Sequence, residues 1–367
     1  MEMRSRLLAV LRSEKTDCPP WFADLSYIYF SLSEQNKLEE KYLGDQGYLK
    51  FYQDLGAGIC FYPPFLWHTQ YEGGIVYSQE ITGNNRITCF NTPLGAIRSE
   101  ERYVPSNFSW AYTKHFVENI DDLRIMLYIH ENAVHTSDYD AFERIDRLWG
   151  TSGIPTAIAP ISVAPIQKLF ARWAGVSNTV SIYIEHTEEF ETIMRGIENS
   201  EDKIFEIICA SKAEYVEFPE NLSSEITGRN FFAKYNMPYY QRRIEQLHQS
   251  GKFVGIHIDG TLKGCLQLLG ECGFDVAEAV TPQPFGDLHP EEIRKTAGEG
   301  IVIWGGLPGG IFTPAFSDVE FEDYVVKILE TFRSDPRFVL GVADQVPPDG
   351  SLSRVKKINQ ILQRFYS

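Results

Sequence analysis

Residues 238–260 read PYYQRRIEQLHQSGKFVGIHIDG, and this stretch decides the fold class. Tyr240, Ile244 and Leu247 recur every 3 to 4 residues, which is one face of a helix, and Gly251 is a helix stop. An apolar run, 253–258, follows at once and breaks at Asp259 and Gly260, as a short buried strand does. Working outward, runs of the same kind stand at 154–161, 215–218, 276–280, 301–304 and 338–342, each closed by Gly, Pro, Asp or Asn. Helical stretches separate them, and four consecutive units occupy roughly 213–344. This rhythm predicts the α/β class: a parallel sheet with helices outside it, in a chain whose 367 residues suit one (β/α)8 TIM barrel.

Upstream the pattern changes. Leu7, Leu8, Val10 and Leu11 sit at helical spacing and stop before Pro19 and Pro20, which predicts a short N-terminal helix over 4–14. Residues 21–111 are rich in Tyr, Phe, Gly and Pro, and GGIVYSQEITGNNRITCF at 73–90 alternates like paired strands, with Gly83, Asn84 and Asn85 as turn residues. The expectation is one barrel domain over 1–367, with 1–111 supplying an N-terminal extension, the first strands and a β-hairpin insertion.

Composition narrows the function. With 34 basic and 50 acidic residues the formal charge is −16, and no Lys/Arg cluster offers a phosphate backbone a landing site, so a nucleic-acid partner is not expected. At 43% hydrophobic and 23% charged residues, disorder is excluded. No run approaches the roughly 18–20 apolar residues of a membrane helix, and the N-terminus has no apolar secretory core, so the reading is cytoplasmic with no membrane partner. The six cysteines are scattered without a CxxC pair and read as reduced and structural.

The chemistry-bearing residues stand where the apolar runs end. His257 and Asp259 close one run, Glu278 lies in the next, Glu217, Glu220 and Asn221 follow an earlier one, and Asp344 follows the last. In a parallel barrel those ends converge on one face, where catalytic groups sit. His257 and Asp259, two apart on a strand, share a side. With Glu278 and Asp344 they make a candidate site for a divalent metal such as zinc, and His257, Asp259 and Glu278 are also the candidate acid/base groups. A buried set of carboxylates calls for positive charge nearby. Trp21, Tyr27, Tyr29, Phe61 and Tyr62 are candidates for an aromatic pocket wall, and the expected substrate contacts are Trp21, Asp24, Tyr27, Glu217, Glu220, Asn221 and Trp304. TPLGAI at 92–97 reads as a Pro/Gly turn. GGLPGGIF at 305–312 lacks the GxxxxGK[ST] pattern and reads as a tight loop near the ligand. No GxSxG elbow or GxGxxG fingerprint is present.

Three segments carry a resemblance: 219–260, PENLSSEITGRNFFAKYNMPYYQRRIEQLHQSGKFVGIHIDG; 273–282, GFDVAEAVTP; and 338–358, FVLGVADQVPPDGSLSRVKKI. They resemble the uroporphyrinogen decarboxylase-like superfamily, particularly its methyltransferase branch. RSRLLAVLRSEKTDCPPWF at 4–22 is similar to that family's opening helix and first strand, and KHFVENIDDLRIMLYIHEN at 114–132 to its next helical segment. The resemblance implies a single barrel with its site at the C-terminal mouth. True decarboxylases of the family carry an Arg-Gln-Ala-Gly-Arg segment after the first strand, whereas ADLSYIYFSL at 23–32 has no arginine to grip propionates. The methyltransferase branch binds zinc through His-x-Cys, often a Glu on the next strand, and a late Cys. This chain keeps His257 and Glu278, has Asp259 in place of Cys, and has Asp344 near the late position. A harder donor set suits an oxygen-bearing substrate. The implied activity is metal-assisted transfer of a methyl group from a small, methoxylated donor to the cobalt of a corrinoid carried by a separate corrinoid-binding protein docked over the mouth. Homodimers are common in that family. The competing readings are a decarboxylase or other lyase on a small carboxylic acid, using the same His and carboxylates as general acid and base, and a barrel that only binds a ligand.

Overall fold

The structure is a computed structural model that describes residues 1–61, 63–161 and 163–367, so Tyr62 lies outside the described residues. Its centre is a curled parallel sheet of seven strands in the order β1-β13-β12-β11-β10-β9-β8. In chain order β1 is Trp21–Phe22, β2 Trp67–Tyr71, β3 Val76–Thr82, β4 Asn85–Thr92, β5 Gly95–Val104, β6 Ser109–Lys114, β7 Ala133–Ser137, β8 Ala157–Ile158, β9 Tyr215–Leu222, β10 Phe253–Ile258, β11 Val276–Val280, β12 Val302–Pro308 and β13 Phe338–Ala343. Helices fill the stretches between β8 and the chain end, as the alternating pattern predicts. Helix Met237–Gln249 leads directly into β10 and buries Tyr240, Ile244 and Leu247.

Seven strands join the ladder, and the eighth position of the expected barrel is held by something weaker. Segment 58–60 spans the two sheet edges through single parallel bridges, Phe22 to Gly58 and Ile59 to Gly153. The Gly58 N–H donates to Trp21 O at 2.8 Å, and the Ile154 N–H to Ile59 O at 3.1 Å. Two of the strands differ in length from expectation. The 154–161 run yields only two strand residues, Ala157–Ile158, paired with β9, while Gly153 and Ile154 bridge to Ile59. The 301–304 run continues through Gly305 and Gly306 to Pro308, so half of GGLPGGIF is strand, followed by a 3-10 turn over Gly309–Phe312.

The bottom of the sheet is closed by the N-terminal helix, Met3–Leu11. Its Leu7, Val10 and Leu11 pack with Phe22, Tyr215 and Trp304 in a cluster separate from the main core. The insertion is larger than the expected hairpin. It is a four-stranded antiparallel sheet, β3-β4-β5-β6, beside a two-stranded sheet of β2 and β7. Gly83–Asn84 turn β3 into β4, Pro93–Leu94 turn β4 into β5, and the insertion ends at Lys114, three residues past the expected boundary. Among the described residues no helix is long and apolar enough to cross a membrane.

Gly153 tests the weak position. A Cβ there would stand 1.7 Å from the Ile59 carbonyl oxygen, so any side chain must push segment 58–60 off the sheet edge. Gly153→Ala is expected to cost about 1–3 kcal/mol in urea unfolding; an unchanged midpoint would show that the bridge carries no stability.

Candidate active site

Strand register builds the site. β10 and β11 pair in parallel with His257 directly opposite Glu278, so the two side chains leave neighbouring strands on the same face. Alternation sends residues 215 and 217, 255 and 257, 276 and 278, and 302 and 304 inward, with the intervening positions in the outer core. His257 Nδ1 donates to Glu278 Oε2 at 2.6 Å, and Nε2 lies 3.6 Å from Asp344 Oδ1. Glu278 is 1% exposed, whereas the His257 side chain retains 17% and faces the mouth.

Below this pair lies an aromatic floor. Trp304 packs against Tyr215 at 5.9 Å, Phe22 at 5.5 Å and Phe61 at 6.0 Å between ring centroids. The Tyr215 hydroxyl donates to Glu217 Oε2. Gly255 makes this contact possible, since a Cβ there would fall 1.8 Å from the Tyr215 hydroxyl and 2.9 Å from Glu217 Oε2. Among the described residues, Glu217 and Glu278 each keep one buried carboxylate oxygen, Oε1, without a hydrogen-bond partner. Unpaired buried oxygens of this kind are costly, and they favour proton uptake by the carboxyl.

The electrostatics follow from burial among like charges. Burial and the neighbouring Glu278 push the Glu217 carboxyl well above the usual carboxylate range. Burial also raises Glu278, against the pull of His257. Asp344 is pushed up to about 6 by burial, opposed by His257 and reinforced by Asp259, Asp24 and Glu278. For His257, burial disfavours the charge, but Glu278, Asp344 and Glu217 outweigh it and lift the ring to about 10. The imidazole is the cation that a set of buried carboxylates requires.

The other expected site residues divide. Asp24 is buried beside this group; its Oδ1 accepts the Ser26 N–H at 2.8 Å and its Oδ2 accepts Gln345 Nε2 at 2.8 Å. Tyr27, Asp259, Asp344 and Gln345 line an open cavity of about 450 Å3 at the mouth, together with Gly309 and Gly310 of the glycine-rich segment. Trp21 and Trp304 are fully buried. Trp21 lies in the main core on the strand face opposite Phe22, and Trp304 is part of the floor. Glu220 points away from the interior: its Oε1 accepts the Ala164 N–H at 2.8 Å, and burial pushes its carboxyl up to about 7. Asn221 is exposed at the strand end. The residues missed by sequence reasoning are Tyr215 and Gly255, two-residue neighbours of Glu217 and His257 whose inward direction follows from the same alternation.

Strain marks the mouth. Asn221, Ala279 and Asp344 have φ of 50°, 61° and 65°, left-handed values in residues with side chains, each costing about 1–3 kcal/mol. Ala279 directly follows Glu278, where the β11–β12 register shifts, and Asp344 directly follows β13.

Zinc needs about four ligands. Among the described residues no group of three or more His, Cys, Asp or Glu side chains is arranged to hold a metal ion. Glu278 Oε2 is taken by His257 Nδ1, and the donors left are its own buried Oε1 and, facing each other at 3.6 Å, His257 Nε2 and Asp344 Oδ1. This arrangement does not fit an assembled zinc centre. Removing one partner of the pair strands the other's charge, so Glu278→Leu is expected to cost about 3–5 kcal/mol, with the double variant His257→Leu/Glu278→Leu costing less than that single change. A single variant within about 1 kcal/mol of wild type by urea unfolding would contradict the pairing.

Comparison with known proteins agrees with this architecture. The family model described as uroporphyrinogen decarboxylase (URO-D) matches residues 154–365, more than half of the chain. A solved methyltransferase from Methanosarcina mazei is similar over 100% of both chains, with a TM-score of 0.64 at 13% identity. A structure described as a putative vitamin-B12 independent methionine synthase from Listeria monocytogenes covers 95% of this chain and 97% of its own, with a TM-score of 0.41 at 7% identity. No curated protein sequence matches. The inward His257 and Glu278 lie within the matched segment, on adjacent strands of the sheet, and the chain belongs to the uroporphyrinogen decarboxylase family.

Proposed function

We propose that this chain is a methyltransferase that moves a methyl group from a small methoxylated donor to a corrinoid carried by a separate protein. The observation that carries the reading is the His257–Glu278 pair: an imidazole anchored through Nδ1 at 2.6 Å, with Nε2 turned to the mouth beside Asp344. The methyltransferase description of the Methanosarcina mazei structure supports it. We also infer that segment 58–60 is the eighth stave of a (β/α)8 barrel, which gives that pair a ring of loops above it.

The corrinoid supplies a low-valent cobalt nucleophile able to accept the methyl group. The chain's residues handle the other half of the reaction. As the methyl–oxygen bond breaks, its electron pair stays on oxygen, and His257 Nε2–H donates the proton that makes the leaving group an alcohol or phenol. Glu278 holds the ring in place and stabilises its cationic form before transfer. Tyr27 and Phe285 at the cavity rim offer apolar surface to the donor.

The lyase reading is weaker on charge. Among the described residues lining the mouth cavity are Asp259 and Asp344 and no Lys or Arg, so a carboxylic acid substrate finds no bidentate clamp, and the one cation nearby, His257, is already held by Glu278 and faced by Asp344. A methyl ether, uncharged, needs no clamp.

The test is to incubate the protein with a panel of methoxyarenes and a reduced corrinoid protein and to follow the free phenol by mass spectrometry. Phenol release that needs both proteins, and that falls about 100-fold or more in His257→Gln, is expected. Carbon dioxide release from a carboxylic acid without any corrinoid protein would replace this reading with the lyase.

A further inference from the structure

The insertion sheet covers a second cavity, of about 650 Å3, walled by β2, by the inner face of β3–β6 and by segment 165–173. It shares no lining residue with the mouth cavity. Its volume is in the range of about 300–1,000 Å3 typical of small-molecule sites.

The inner sheet face is built for polar contact. Cross-strand pairing places Gln79 beside Thr88, Thr88 beside Ser99, and Arg86 beside Glu101. A sheet face that packs dry against a domain carries Val, Ile and Leu, yet here Thr88, Ser99 and Glu101 are 8%, 1% and 8% exposed. Gln79 donates to the Thr88 hydroxyl at 3.1 Å.

Aromatic rings frame this polar face. Phe90 packs against Tyr71 at 5.3 Å and Tyr77 at 5.1 Å, and Trp67 and Trp173 also line the cavity.

Charge accounting leaves one cation over. Arg86 is held by Glu101 through two hydrogen bonds, at 2.7 and 2.5 Å, and Lys168 is paired with buried Glu201. Arg172 also lines the cavity, and its guanidinium has no hydrogen bond or ion pair among the described residues. It sits in a single π-helical turn, Leu169–Trp173, whose Arg172 carbonyl is held by His115 Nδ1 at 2.9 Å. Isolated π turns of this kind occur frequently at functional sites.

We propose that this cavity is a binding site for a planar aromatic carboxylate, its ring lying against the cluster of Tyr71, Tyr77 and Phe90 and its carboxylate on Arg172. A guanidinium is the group best matched to a carboxylate, and an aromatic cluster of tilted and edge-on rings offers a further ring the same offset and edge-to-face contacts. The site is independent of the methyl-transfer reading, because it uses none of the mouth residues.

Calorimetric titration of the full chain with benzoate, without corrinoid protein or methyl donor, tests it. Benzoate is expected to bind at one site, Arg172→Leu to weaken it about tenfold or more, benzyl alcohol to bind correspondingly worse, and His257→Gln to leave the affinity within twofold. Arg172→Gln serves the same purpose should Arg172→Leu lose its native circular dichroism. No heat of binding in wild type, equal affinity in the Arg172 variant, or loss of binding in His257→Gln would each overturn the proposal.

Discussion

A histidine held among buried carboxylates is the constraint around which the interior is arranged. Glu217 and Glu278 each bury a carboxylate oxygen with no hydrogen-bond partner among the described residues, a condition that a folded protein sustains only when the group is neutralised or faces a cation. His257 is that cation, anchored on Glu278. The acidity of the surroundings holds the proton on the ring, and the exposed edge of the ring makes that proton available at the mouth.

The scaffold below turns this pair toward solvent on one side only. The N-terminal helix seals the lower end, and the Trp304, Tyr215 and Phe22 rings fill the space above it. Among the described residues the open side of His257 is the one toward Asp344 and the strand C-termini. There the chain leaves regular geometry at Asn221, Ala279 and Asp344, whose left-handed backbones set the directions of the mouth segments. Strain of this kind is retained where surrounding structure enforces it, and its placement beside Glu278 and at Asp344 agrees with a functional mouth.

Much of this was legible in the sequence, for a physical reason. Apolar runs ending in Gly, Pro, Asp or Asn report strand ends, and a parallel sheet gathers those ends on one face, so the sequence alone groups His257, Glu278 and Asp344. The His257–Glu278 register then follows from neighbouring strands of similar length. Other features depend on information that a run of residues does not carry. Glu220 and Glu217 are three apart, an odd offset that places them on opposite faces of β9, so proximity to a strand end alone does not bring both to the interior. Trp21 and Trp304 have the chemistry of substrate contacts, and in the structure they fill the outer core and the floor. The hairpin signal at Gly83–Asn84 was correct locally, but the number of strands that joined it, and the cavity they enclose, is set by tertiary pairing.

The account rests on His257 giving a proton to the departing oxygen, and a leaving-group series measures that directly. Single-turnover methyl transfer to a reduced corrinoid protein should be timed for wild type and His257→Gln with anisole and with 4-nitroanisole, whose nitrophenolate leaves without protonation. The account predicts a large deficit in the variant for anisole that shrinks sharply for 4-nitroanisole. An equal deficit for both donors would show that His257 positions the substrate or serves the fold without delivering the proton.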